Sequence, residues 1–390
     1  MPRPLVAYAD GSGTPLYSPP VAFERLGVSD ADLLLGWVLQ DVPWLHDLAE
    51  HSARCIMGGY ALRPHIERGA VGYLPVRYAS LPRLLGAALR PDYLVVRGRP
   101  RGSGFTYAGS IGWAHVAARL ARCGVLVLVD PDAPDLGGPE IAGQVIGAET
   151  VEFADGPPAR AEATREDRII GELVAALIPS GATIQYGPGA IADAIIEVIP
   201  HPVRVWSGLA TDALIRLSDR GLLIGDATAT YLWGSPELTT MAAEGDLRIR
   251  PIEETHDLGR LVSLPRFVAI NTALQVDLDG SVNVESVRGR HVAGIGGHPD
   301  FCAGASCNPN GLSVIALRSE HAGRSSIVRR VDTVSTGRSD VDLVVTEHGV
   351  ADLRGCDAAE RARRIVAIAA PAARDSLERG DRDVPGGRSR

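Results

Sequence analysis

A mostly apolar run at residues 341–345 stops abruptly at Thr346-Glu347-His348-Gly349, and the rest of the chain has to be built around it. A short run of this kind, bounded by turn residues, reads as a strand buried on both faces, as in a parallel sheet. Gly349 permits the turn, and residues 356–369 then follow helical spacing with Arg361, Arg363 and Arg364 outward. A carboxylate and an imidazole at the carboxyl end of a buried strand lie where open α/β sheets hold their ligands. The same Glu347-His348 pair would also serve to satisfy local backbone groups, and both readings stay open on the spacing alone.

With 390 residues the chain exceeds the usual size of one hydrophobic core, so two domains are expected. Residues 1–28, rich in Pro, Gly and Ser, read as a loose lead-in, and residues 29–50 as a helix capped by Ser29 or Asp30. Strands follow at 70–74, 93–96 and 125–130, with helices at 81–89 and 109–123 between them. Pro, Gly and Asp crowd residues 131–165, which read as a surface excursion. A helix at 166–178, a strand at 182–185 and a helix at 190–198 come next, and Ile199-Pro200-His201-Pro202 places a domain boundary at 199/200. Beyond it the alternation resumes with strands at 203–206 and 221–224 and helices at 210–219 and 236–243. Residues 267–278 and 281–285 read as a hairpin turning at Asp279-Gly280, and 314–317 as a further strand. This alternation predicts two doubly wound open α/β domains, 1–199 and 200–380, and a frayed tail at 381–390.

A formal charge of −8 argues against a nucleic-acid surface, although one basic pocket can still take an anionic ligand. No apolar run is long enough to span a bilayer, and the first residues lack the apolar core of a secretory signal. The five cysteines are odd in number and scattered, so no disulfide framework is expected and a reduced, cytoplasmic setting is. A homo-oligomer is compatible with this composition.

Two glycine clusters could meet a ligand. Gly187-Pro188-Gly189-Ala190-Ile191-Ala192 satisfies a dinucleotide fingerprint, but the next strand ends in Ser207 rather than an acid, which leaves nicotinamide binding the weaker reading. The turn would still expose helix N-terminal amides to an anionic or carbonyl oxygen, with Gln185 beside it as a neutral donor. Gly294-Ile295-Gly296-Gly297 offers close backbone approach and consecutive amides for an oxyanion. Asn271 and Asn283 flank it as amide donors, or as ties within the hairpin. Cys302 follows His298 by four residues, as a nucleophile would require, but buried small apolar side chains are the simpler reading of Cys302 and Cys307. No metal ligand set is visible.

Residues 346–355, Thr-Glu-His-Gly-Val-Ala-Asp-Leu-Arg-Gly, resemble a signature of the acetyl-CoA hydrolase/CoA-transferase family. Residues 270–278, 294–301 and 184–194 resemble further stretches of that family in the same order. The resemblance implies an acyl-CoA as substrate, no separate cofactor, and a ligand in a cleft between two α/β domains. It places Gly294, Gly296 and Gly297 at the acyl and pantetheine region; the strand-end carboxylate Glu347 beside His348, with Gln185 as a neutral donor, makes up the expected catalytic set. It also exposes an absence. In related transferases a glutamate, four residues before an aspartate, attacks the thioester; here that register gives Gly208, four before Asp212. The second acidic position common nearby is Gln275. The family's usual N-terminal strand and glycine-rich loop are not evident. A glycine forms no acyl anhydride, so the expected activity is thioester hydrolysis, or other chemistry on a CoA ester, with Glu347 as general base and Trp206 as the neighbour filling the vacated volume. A non-catalytic acyl-CoA-binding homologue is the alternative, and a nicotinamide-dependent dehydrogenase the third reading.

Overall fold

The structure, a computed structural model, describes residues 3–9, 14–15, 18–154 and 162–379. Two open sheets account for most of the strands. The first runs in the order 71–73, 53–55, 32–35, 5–8, 93–101, 124–129 and 145–150, all parallel, with Gly104–Tyr107 folding back antiparallel on Tyr93–Arg101. The second runs 204–205, 183–186, 267–272, 312–316, 343–346 and 349–352, parallel except for the last strand. Gly124–Val129 and Leu343–Thr346 are buried at every residue, because helices cover both faces of each sheet. Leu343 and Val345 join the core around Ile170 and Val174 of helix Arg165–Ala175, while Val344 between them meets Cys302 and Ile365 on the opposite face.

The N-terminal third departs from expectation. The Pro- and Gly-rich lead-in contains Leu5–Tyr8, a fully buried strand hydrogen-bonded on both sides in the middle of the first sheet. It also contains helix Pro19–Leu26, where proline takes the first turn, the one part of a helix that needs no amide from it. The expected helix at 29–50 is instead strand Asp32–Leu35 and the single turn Pro43–His46. Leu33, Leu34 and Leu35 are all buried, which a strand between two parallel neighbours allows and one helix face does not. The helix expected at 109–123 is only Ala114–Leu120, since Gly109 and Gly112 hold φ of +97° and +53°. The surface excursion contributes the edge strand Val145–Thr150.

In the second half, residues 221–224 form no strand beyond one bridge between Val203 and Leu223. The long hairpin divides: Phe267–Thr272 is a central sheet strand, and only Gln275–Asp277 pairs with Val282–Asn283 across the Asp279-Gly280 turn. Strand Thr183–Tyr186 pairs with Phe267–Thr272, so the prolines at 200 and 202 end a helix within the second sheet's own run of elements, and the sheets change over between residues 154 and 165. The expected tail at 381–390 lies outside the described residues.

Candidate active site

The strand ends of the second sheet present three neighbourhoods. At the first, Glu347 and His348 are the two turn residues between Leu343–Thr346 and Gly349–Asp352, with Gly349 at φ +136°. The Glu347 carboxylate is largely buried and occupied: it accepts from the Ser319 amide at 2.8 Å and the Ser319 hydroxyl at 2.6 Å. His348 Nε2 stands 3.6 Å from Glu347 Oε1. Beside them Arg318 forks onto Asp167 at 2.7 and 2.6 Å, and Asp167 closes the capping box that begins helix Arg165–Ala175.

The second neighbourhood is an amide pair. Gln185 and Asn271, both buried, exchange hydrogen bonds of 3.3 and 3.2 Å, and Asn271 Nδ2 also donates to Cys302 Sγ at 3.5 Å. Their side chains therefore satisfy one another. Three strand spacings, roughly 14 Å, separate Gln185 from Glu347. The structure thus does not bring together the Glu347, Gln185 and His348 expected to act as one set. Burial pushes the Cys302 thiol up to about 12 and holds the His298 imidazole down to about 4, so this pair makes no thiolate near neutral pH. Asn283 is a tie: it accepts from the amides of Glu285 and Ser286 and donates to the Ser286 carbonyl at 2.6 Å.

The third neighbourhood joins the glycines. An ideal Cβ on Gly208 would lie 3.1 Å from Phe301 and 3.3 Å from His256 Nε2, and one on Gly297 only 2.3 Å from the same Nε2. The space beside Gly208 is therefore held by His256 and Phe301. Trp206 packs against the cluster that contains Phe301, its indole N–H donating to the Thr255 carbonyl at 3.0 Å. The His256 ring is buried, pairs through Nδ1 with the Thr255 hydroxyl at 2.9 Å, and is pushed down to about 3 by burial, which keeps it neutral. Gly294 and Gly296 are covered by Met57, which reaches within 2.7 Å of a Cβ on either. Gly187 and Gly189, by contrast, have nothing within 4 Å of an ideal Cβ, and Gly189 has φ +126°.

The first sheet closes over this glycine loop. Arg77 Nε donates to the fully buried Asp300 at 2.5 Å, the Tyr78 amide to the Gly296 carbonyl at 3.2 Å, and the Tyr73 hydroxyl to Glu285 at 2.9 Å. Tyr73 in turn accepts from the Ile295 amide at 2.8 Å. None of Met57, Tyr73, Arg77, His256 or Glu285 was legible as a site residue, because the two sides of each contact come from distant, unrelated stretches. Among the described residues one group has the spacing of metal ligands, Asp41, His46 and His65, with ligand atoms within 4.8 Å. Arg68 donates to His65 Nδ1 at 3.2 and 3.1 Å, which leaves the proton of the neutral ring on Nε2, the atom a metal would need.

Residues 234–380 match the acetyl-CoA hydrolase/transferase C-terminal domain. Through these residues the chain is similar to the acetyl-CoA hydrolase/CoA-transferase family. Over 233 residues it is 34% identical to a 4-hydroxybutyrate coenzyme A transferase of Clostridium kluyveri, an alignment taking in 54% of this chain and 53% of that one. A butyryl-CoA:acetate CoA-transferase of Anaerostipes caccae is 28% identical over 352 residues, 82% of this chain and 78% of that one. The chain thus spans about half the length of the first relative and most of the second. The crystal structure of RipA from Yersinia pestis superposes with a TM-score of 0.86 at 25% identity, covering 96% of this chain and 93% of that one. The two-sheet α/β fold described above is shared with that structure, and no described helix is long and apolar enough to cross a membrane.

Proposed function

We propose that this protein is an acyl-CoA-processing enzyme that hydrolyses a small thioester rather than passing its acyl group to a second acid. One observation carries the reading: where the family resemblance puts a nucleophilic glutamate, the chain has Gly208, walled by a neutral histidine and a phenylalanine. In this reading the thioester carbonyl lies against the glycine turn at 294–297, where the backbone amides of Gly296 and Gly297 would meet the oxyanion. Water attacks the carbonyl carbon, a C–O bond forms, the C–S bond breaks, and the acid and the CoA thiol leave. His256 is the titratable group nearest the vacated position, and its neutral ring would accept the proton of the attacking water. Glu347 then orders the neighbouring strand end through Ser319. CoA ester is the substrate in this scheme, and no separate cofactor takes part.

Incubation with acetyl-CoA and butyryl-CoA, with and without acetate, tests this directly. Free thiol released equally in both conditions is the expected result. Acetyl-CoA formed from butyryl-CoA and acetate would establish transfer and overturn the hydrolytic reading. CoA-ester binding with neither product would establish a non-catalytic binder, and dependence on a nicotinamide would establish the dehydrogenase.

A further inference from the structure

We propose that a cavity beside Trp206 binds the phosphate group of a small molecule. The cavity, of about 220 Å³, is lined by Thr183, Arg204, Trp206, Asp226 and Arg248, with Pro265 on its apolar wall. Short parallel pairings bring these residues together: Arg204 lies opposite Thr183, Trp206 bridges to Thr228, and Thr228 lies opposite Arg248. Arg204–Val205 ends the second sheet's strand order on the side remote from Glu347, and the bridges Val203–Leu223 and Trp206–Thr228 continue from it.

Three features point to an anion. The Thr183 hydroxyl is buried at 2% exposure with no hydrogen-bond partner, which costs stability unless a ligand oxygen meets it. Arg204 donates to the Gly181 carbonyl at 2.8 Å and, among the described residues, makes no ion pair. Arg248 donates through Nε and a terminal nitrogen to Asp226 Oδ2, so the two guanidiniums lining the cavity, Arg204 and Arg248, face one carboxylate and leave one positive charge, on a chain whose net charge is −8. A phosphate monoester carries about −1.5 to −2 at neutral pH and matches guanidinium forks in geometry as well as charge. The indole and Pro265 would take the organic part. Two sources share this chemistry, the nucleotide end of a CoA ester and a free organic phosphate.

Titration calorimetry of the full chain with inorganic phosphate and with adenosine 5′-monophosphate tests the site without reference to turnover. Both probes should bind, more weakly as salt rises. Arg204→Ala and Arg248→Ala should each weaken binding by about tenfold or more, and Arg204→Lys by less, because it keeps the charge but loses the fork. Melting curves of the variants establish that they are folded. If CoA displaces phosphate and Arg204→Ala raises the KM for acyl-CoA, the ligand is the substrate's own nucleotide end. If CoA leaves phosphate bound, it is a separate phosphate compound. Absence of binding by either probe, or equal affinity in wild type and both alanine variants, overturns the proposal.

Discussion

At Gly208 the missing side chain is matched by the bulk of its neighbours. A Cβ there would already crowd Phe301 at 3.1 Å, and a whole glutamate must displace His256 as well. Gly208→Glu alone should therefore lower the unfolding free energy by about 1–3 kcal/mol, read from denaturant midpoints, and yield no acyl-enzyme on borohydride trapping. Combining it with His256→Ala frees the space, and that double variant is the one expected to gain transfer to acetate. In the wild-type background His256→Gln should slow thiol release by about a hundredfold or more with the fold retained by circular dichroism. Glu347→Gln should change the rate by less than about tenfold, because its carboxylate is engaged by Ser319 rather than aimed at the glycines. An outcome with these two effects exchanged would return Glu347 to the role of base. Gly208 was legible from its register against a family stretch. His256 was not, since Thr255 and the single helical turn Ile252–Thr255 orient it and neither carries a sequence signal.

Helix His298–Ser306 shows how one element serves several ends. Asp300 faces the first sheet, Phe301 fills the space at Gly208, and Cys302 packs beneath the second sheet. Arg77→Met would leave Asp300, fully buried and already pushed up in pKa by that burial, without its ion partner. A loss of about 3 kcal/mol is expected in chemical unfolding, and Asp300→Asn in the same background should recover part of it by removing the stranded charge. The elements that were legible are those whose pattern is unambiguous: the buried strands at 124–129 and 343–346, and helices Ala190–Val198 and Ala358–Ala367. The misread ones are short. Leu5–Tyr8 and Asp32–Leu35 are four-residue strands whose burial comes from parallel neighbours far along the chain. Nothing local distinguishes four apolar residues in a Pro-rich lead-in, or three leucines after an acidic cap, from other structures.

Over the whole molecule, the buried titratable groups oppose one another as pH falls. His256 and His298 are pushed down by burial to about 3 and about 4, so between those values and about 6.5 the unfolded chain binds their protons and the folded chain does not. Stability is then lost as pH drops below about 6.5. His65, His115 and His291 are shifted in the same direction, each first by burial. Asp277 works the other way: burial and its hydrogen bond with Asp279 raise it to about 6, so the folded state gains a proton first and is stabilised on acidification. Asp300, Asp342 and Glu253, also raised by burial, add to that side, but carboxyl groups titrate lower than histidines in the unfolded chain. Near pH 5 His256 and His298 outweigh the single aspartate by about one proton, which corresponds to about 1.4 kcal/mol lost per pH unit. Unfolding midpoints measured from pH 7 to pH 5 should fall accordingly. His256→Gln should flatten the slope by removing one of the protons taken up on unfolding. A midpoint that stays level or rises toward pH 5 would mean that the carboxyl groups dominate, and that His256 is not held neutral against Gly208 and Gly297.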